Sequence, residues 1–270
     1  MMRLIFLLHA LLFGMSGCAE RFLLFPSTQT IDAQGAQRIE VKPAIEVWTD
    51  RSLAAKEAGR VDAYVLEFTG NATRAEQITR SVAGRWQPHR VEVWVMNYPG
   101  FGGSAGPAKL RAIPPAALAV YDELKCRAGD KPIFVCGNSL GGAVALCVAA
   151  RRPVAGMILQ NPPALRQIIL GEHGWWNLWL FAGPIALAVP NELDAIANAS
   201  NVRAPVIFIS ADADTLVPLK YQDKIAAKYR GPVGRIHLKN AGHWQSMDQL
   251  TEIEVLNKAI DWLVNATAKP

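Results

Sequence analysis

The feature that most restricts this chain is a stretch near its middle, Ile133-Phe134-Val135-Cys136-Gly137-Asn138-Ser139-Leu140-Gly141-Gly142. A run of apolar and β-branched residues, the composition of a buried strand, meets Gly-Asn-Ser-Leu-Gly, and Ala143-Val144-Ala145-Leu146 then continues as a helix of small side chains. A strand that becomes a helix within so few residues must turn sharply. The spacing predicts Ser139 at the apex in a strained conformation, with glycines two before and two after because helix and strand pass too close for side chains. The serine hydroxyl then stands at a helix N-terminus, where backbone N–H groups and the helix dipole favour developing negative charge. The plainer alternative is a tight turn with a passive serine.

The surrounding sequence suits such a turn. From about residue 60, short β-branched runs alternate with longer helical patterns, the signature of parallel strands joined by crossover helices. Strands are expected at 61–68, 91–98, 133–136, 155–160, 206–210 and 234–238, and helices at 74–83, 115–127, 140–151, 219–229 and 249–264. Residues 18–59, extended over 38–47, are expected to form a tether and one or two edge strands ahead of a single domain at 60–270. One segment, 162–203, breaks the alternation with Pro162-Pro163, Trp175-Trp176-Asn177-Leu178-Trp179 and Ala182-Gly183-Pro184. Insertions of that length are usually functional, and this one reads as a Trp-rich cap over a site. Its indoles either line an acyl pocket or touch a bilayer, or simply pack the cap onto the core. With 51% hydrophobic and 19% charged residues, the composition excludes a disordered chain. A net charge of +5 arises from 28 basic and 23 acidic residues scattered along the chain, which offers nucleic acid no basic tract.

A serine hydroxyl is a poor nucleophile at neutral pH, so an imidazole must take its proton and a carboxylate must orient the imidazole. Downstream, an apolar strand from Val206 ends in an acidic loop holding Asp212 and Asp214. Of the five histidines, His9 lies in the N-terminal apolar run, His89 precedes a strand, His173 falls in the cap and His237 lies within the last strand. His243 instead follows that strand in Asn240-Ala241-Gly242-His243-Trp244, a loop able to return an imidazole to Ser139. A surface histidine is its plainer reading.

The order serine, aspartate, histidine with a G-x-S-x-G turn resembles the α/β-hydrolase superfamily, from about residue 60 to the C-terminus. The resemblance implies an α/β-hydrolase fold, a mostly parallel sheet flanked by helices. It favours Asp214 over Asp212, because Asp214-Thr215-Leu216-Val217-Pro218 is similar to the D-x-x-V-P acid loop of that superfamily. Glu67-Phe68-Thr69-Gly70-Asn71-Ala72 resembles the His-Gly-Asn oxyanion loop of a branch containing membrane-associated lipid hydrolases and protein depalmitoylases, with Thr69 where the histidine usually stands. Asn97-Tyr98-Pro99-Gly100-Phe101-Gly102-Gly103-Ser104 is similar to the Y-x-G-x-G-x-S turn of the same branch. By that resemblance the backbone N–H groups of Asn71 and Leu140 form the oxyanion hole, and Ser139, Asp214 and His243 form the catalytic triad of a serine hydrolase. Its expected substrate is an ester or thioester with an apolar acyl part, cleaved through an acyl-enzyme. A peptidase, with Glu172 or Glu192 as amine anchor, and a non-catalytic lipid-anchored binding module on the same fold are the alternatives. No cofactor or metal is expected, since H-E-x-x-H, paired C-x-x-C and G-x-x-x-x-G-K-[ST] are all missing from the sequence.

The N-terminus carries a separate message. Arg3 precedes a run of apolar residues from Leu4 to Phe13, which is too short to span a bilayer and reads as a signal segment over 1–17. Met15-Ser16-Gly17-Cys18 resembles a bacterial lipobox with Met15 in the usual leucine position, making Cys18 the expected lipidation site. An uncleaved anchor or an ordinary signal peptide is the alternative. The implied location is a lipoprotein on a membrane of the bacterial cell envelope. Ala19 after the cysteine is the pattern of the outer membrane, facing the periplasm. Of the other cysteines, Cys136 and Cys147 sit in apolar stretches and are expected in the core, while Cys126 leaves the count odd.

Overall fold

The computed structural model describes residues 24–173, 182–244 and 250–267. The expected signal segment, Cys18 and the tryptophans Trp175, Trp176 and Trp179 lie outside the described residues.

Among the described residues eight strands build one sheet: β1 (Gln37–Val41), β2 (Ile45–Arg51), β3 (Ala63–Phe68), β4 (Val91–Met96), β5 (Ile133–Asn138), β6 (Gly156–Gln160), β7 (Val206–Ala211) and β8 (Val233–Leu238), in the order β1-β2-β4-β3-β5-β6-β7-β8. The two β1/β2 and β2/β4 pairings are antiparallel and the rest of the sheet is parallel. Residues of β4 and β7 are buried throughout, because helices cover both faces, and this is why these strands read as unbroken apolar runs rather than alternating ones. The expected early edge strand is β1; β2 lies one place further in, paired with β4.

The helices are α1 (Leu53–Ala58), α2 (Ala75–Arg85), α3 (Ile113–Ala128), α4 (Leu140–Ala149), α5 (Leu165–His173), α6 (Ala182–Ala188), α7 (Ala195–Ala199), α8 (Leu219–Ala226) and α9 (Leu250–Thr267). The five helices expected between strands are present with ends within three residues of the expectation. α1 had no periodic signal to betray it. It is six residues long, opened by Ser52, whose Oγ accepts from the Ala55 N–H at 3.2 Å, and closed by Gly59 at φ 64°.

α2 and α9 pack on one face of the sheet through Val82, Leu256, Ile260 and Leu263, and α3, α4 and α8 pack on the other through Val120, Leu124, Val144 and Ile225. Right-handed crossovers dictate this division: the chain leaves β3 toward β4 but leaves β5 toward β6, so the two connecting helices fall on opposite faces. The strand order therefore reverses between β3 and β5, and a crevice opens at their C-terminal ends. Phe68 of β3 pairs with Gly137 of β5, and Asn138 pairs with Gln160 of β6, so the turns that follow β3 and β5 emerge side by side. Cys147 and Cys136 are buried in the apolar layers on the two faces of the sheet, Cys126 is exposed, and all three are free thiols.

Candidate active site

Ser139 sits between β5 and α4 at φ 51° and ψ −123°, the strained conformation expected from the sequence. The flanking glycines are required by specific backbone approaches. A Cβ on Gly137 would lie 2.2 Å from the Gly141 carbonyl oxygen, one on Gly141 would lie 2.0 Å from the Phe68 oxygen of β3, and one on Gly142 would lie 2.8 Å from Pro162 Cβ. The crowding thus involves neighbouring segments as much as the strand and helix that meet at the turn. The Ser139 N–H donates to the Gln160 oxygen at 2.8 Å, which ties the apex to the end of β6.

The remaining polar groups reach Ser139 from far along the chain. His243 Nε2 lies 3.0 Å from Ser139 Oγ, and His243 Nδ1 lies 2.7 Å from Asp214 Oδ2. The other carboxylate oxygen, Asp214 Oδ1, accepts from the Leu216 and Val217 N–H groups at 2.9 and 2.8 Å. These bonds fix the carboxylate plane, and its side chain is fully buried. Asp212, the competing acid, is exposed. The two loops are stitched together where the Ala213 N–H donates to the Ala241 oxygen at 3.0 Å. A buried acid, an imidazole and a serine hydroxyl in one hydrogen-bonded row are the arrangement that removes a proton from the hydroxyl as it attacks.

The turn after β3 abuts this row: a Cβ on Gly70 would lie 3.7 Å from Ser139 Cβ. Asn71 and Leu140 both line the cavity onto which Ser139 and His243 open. Thr69, in place of the histidine of the resembling loop, is buried, and its hydroxyl has no hydrogen-bond partner among the described residues. Bonds to its backbone carbonyls shape the turn instead. The Tyr98 hydroxyl donates to the Thr69 oxygen at 2.7 Å and the Thr73 N–H to the Gly70 oxygen at 3.2 Å. The glycine-rich segment 97–104 is the buttress behind it. Glu46 receives the Asn97 side-chain amide at 2.6 Å and the Gly103 N–H at 2.8 Å, and Ser104 Oγ donates to the Asn97 oxygen at 2.7 Å. Burial pushes the Glu46 carboxyl up, but these donors and the Arg38 guanidinium outweigh it and hold it below the usual carboxylate range.

The cavity has a volume of about 370 Å³. Apart from the groups named above, its wall is apolar. α5 supplies Leu165, Ile168 and Ile169, and Val189 follows α6, so described parts of the segment expected as a cap line the cavity. Phe25, Leu216 and Trp244 stand at the rim, exposed by 59%, 54% and 76%. The sequence reading missed Phe25 entirely, because nothing local marks a residue before the first strand as part of a site formed far downstream. It also missed Leu165, Ile168 and Ile169, whose apolar spacing reads equally well as core. Glu172, one expected amine anchor, is engaged by the Tyr221 hydroxyl at 2.9 Å and Lys220 at 2.6 Å, and Glu192 stands exposed in a short turn. Among the described residues no group of three or more His, Cys, Asp or Glu is placed to hold a metal ion, and no helix is long and apolar enough to cross a membrane.

On the opposite face of the sheet, beneath the Ser139 turn, Glu67 shares a small void with Cys136, Asn138 and Gln160, closed by Arg85 and Trp86 of the α2 region. Burial pushes the Glu67 carboxyl up to about 7, offset in part by Arg85.

Comparison with known proteins bears on the fold and the family. Residues 46–195 match the sequence model of the alpha/beta hydrolase family. An uncharacterised protein of Mycobacterium tuberculosis is 25% identical over 181 residues, which cover 66% of this chain and 61% of that protein. The lysophosphatidylserine lipase of Macaca fascicularis is 25% identical over 207 residues, covering 67% of this chain and 47% of the lipase. The matches thus span about half to three-fifths of these relatives' own length. Among solved structures, Est1E from Butyrivibrio proteoclasticus with bound ferulic acid superposes with a TM-score of 0.69 at 17% identity, over 87% of this chain and all of that one, which shows the shared fold. The matched family region takes in more than half of the sequence, from β2 to the start of α7 and including the Ser139 turn, and the chain belongs to the alpha/beta hydrolase family of enzymes.

Proposed function

We propose that the protein is a serine hydrolase that cleaves an ester or thioester with an apolar acyl part through an acyl-enzyme. The observation that carries this reading is the row Asp214, His243, Ser139, with spacings of 2.7 and 3.0 Å, opening onto an apolar cavity. Ser139 Oγ attacks the acyl carbonyl as its proton passes to His243 Nε2. Asp214 stabilises the imidazolium and holds its tautomer. The tetrahedral oxyanion is received by the Asn71 and Leu140 N–H groups, donors of a kind worth about 3 kcal/mol of barrier each. Collapse breaks the bond to the alcohol or thiol, which leaves with the proton from His243. Water then attacks the acyl-serine with His243 as base, releasing the acid and restoring Ser139.

The apolar wall favours acyl chains over peptides, and the engagement of Glu172 by Lys220 and Tyr221 argues against an amine anchor there. The similarity to a lysophosphatidylserine lipase supports a place in the lipid-hydrolase branch and an amphiphilic substrate. The sequence around Cys18 supports attachment to an envelope membrane by lipid. A fluorophosphonate probe should label the wild type and leave Ser139→Ala unlabelled; equal labelling would refute the assignment. A panel of acyl esters, acyl thioesters and aminopeptidase substrates then decides the bond cleaved, and mass spectrometry of the mature N-terminus should find an acylated Cys18.

A further inference from the structure

The N-terminal segment ahead of β1 is built into the mouth of the site. The Phe25 N–H donates to Asn71 Oδ1 at 3.0 Å, inside the very turn proposed to bind the oxyanion. Leu24 is buried, and the Gly102 N–H donates to the Ser27 oxygen at 2.9 Å. Arg74, only 4% exposed and neutralised by Glu76, donates through Nη1 to the Ser27 and Gln29 oxygens at 2.8 and 3.0 Å. A buried guanidinium holding two carbonyls of an otherwise loose segment is a clamp. It fixes the stretch from Phe25 to Gln29 against the turn after β3, with Phe25 at the cavity rim and Leu24 buried beside it.

Cys18 precedes Leu24 by six residues. Fully extended, that link reaches at most about 21 Å. A domain of this size has a radius of gyration of about 18 Å and a diameter of roughly 45–50 Å. A lipid on Cys18 therefore holds the cavity end toward the bilayer and cannot let the molecule invert. Exposed apolar side chains gather at that end. Of the ten exposed large hydrophobic residues among the described ones, Phe25, Leu216 and Trp244 ring the cavity, and Leu170 and Leu187 stand on the cap helices α5 and α6. Leu187 is outside the cavity and 82% exposed. Aromatic and aliphatic side chains concentrated around one opening mark an interaction face, and rings of this kind favour the membrane interface.

We propose that this rim is a bilayer-docking face, seated on the membrane by the clamped N-terminal segment, and that the site takes its acyl substrate, a membrane lipid, from the bilayer rather than from free solution. The substrate half rests on the serine-hydrolase reading, and the docking half on attachment near Cys18.

The test uses the full chain with its native N-terminus, reconstituted in vesicles of phosphatidylethanolamine and phosphatidylglycerol. An environment-sensitive dye is placed on Leu187→Cys or, at the opposite end of the sheet, on Lys131→Cys, both in a Cys126→Ala background. The dye at 187 should shift to the blue and be quenched by brominated lipid, and the dye at 131 should do neither. No shift at 187, or an equal shift at 131, overturns the docking face. Leu187→Glu should keep turnover of a soluble p-nitrophenyl butyrate and fluorophosphonate labelling of Ser139, while hydrolysis of a vesicle-borne phospholipid falls at least fivefold. Unchanged vesicle hydrolysis refutes the proposal by showing that access to membrane substrate does not use this face, and a change of oligomeric state on sedimentation without vesicles refutes it by showing that the rim meets a second copy of the chain. Lack of fluorophosphonate labelling in detergent, with the dye response intact, removes the hydrolase reading and the lipid-substrate half but leaves the docking face standing.

Discussion

Ser139 holds a positive φ of 51° that only glycine adopts freely, and the structure ties this strain to the exposure of the hydroxyl. Stability and activity should therefore separate at this position. Ser139→Gly should melt above Ser139→Ala by an amount equivalent to about 1 kcal/mol, because glycine relieves the strain that alanine keeps. Both variants should lose esterase activity, and equal melting temperatures would show that the turn is not strained. Asp214 offers the second test at this scale. Asp214→Asn preserves shape but inverts the hydrogen-bond demand on His243 Nδ1, so kcat should fall about 10³- to 10⁴-fold with little change in melting temperature. Asp212→Asn, on an exposed residue, should stay within about twofold of wild type, a surface change far from any of the usual sources of large effects. The reverse pattern in steady-state kinetics would make Asp212 the acid.

At the level of elements, the site is a junction of β3, β5 and β6 held by close backbone contact rather than by side-chain packing. Gly141 is the tightest point, since its missing Cβ is replaced by the Phe68 carbonyl. Gly141→Ala must push α4 away from the end of β3, at a cost of about 3 kcal/mol or more, and a melting temperature lowered by roughly 6–12 °C. Because the same shift moves the Thr69–Asn71 turn relative to Ser139, kcat should drop together with stability. Gly84→Ala on α2, where a Cβ meets open space, is the control and should be neutral or slightly stabilising.

For the whole molecule, the buried Glu67 predicts a pH dependence of stability. Burial raises its carboxyl from 4.5, the ordinary value that holds in the unfolded chain, to about 7 in the folded one. Between those values the folded state keeps a proton that the unfolded state has lost, so stability falls as pH rises and levels off above about 7. The gap corresponds to about 3 kcal/mol. Melting curves should thus show the wild type losing several degrees between pH 5 and pH 8, and Glu67→Gln losing markedly less; parallel curves would refute this. The window lies above the range in which Glu46 and Glu92 act. Their carboxyls are pushed up by burial but held down overall by donors that include Arg38 and Arg127, and they withdraw stability only as acid protonates them.

The division between what was readable from the chain and what was not follows the range of the forces involved. The Ser139 turn, the parallel strands and the main helices were legible in the sequence, because backbone sterics, glycine placement and apolar runs act over a few residues. α1 escaped, since six residues carry too little periodicity, and its capping serine and closing glycine are common in loops. In the sequence the choice between Asp212 and Asp214 rests on resemblance alone, whereas the fold leaves Asp212 exposed and buries Asp214 against His243, the contrast that supports the proposed role of Asp214. Phe25 at the rim, the Arg74 clamp and the elevated Glu67 depend on segments brought together across tens of residues, where burial and charge are set by neighbours the local sequence does not contain. The sequence by itself determined the strained serine and the sheet that carries it. Only the tertiary structure decided what meets that serine, because hydrogen bonds of about 3 Å between distant loops are consequences of how the whole chain packs.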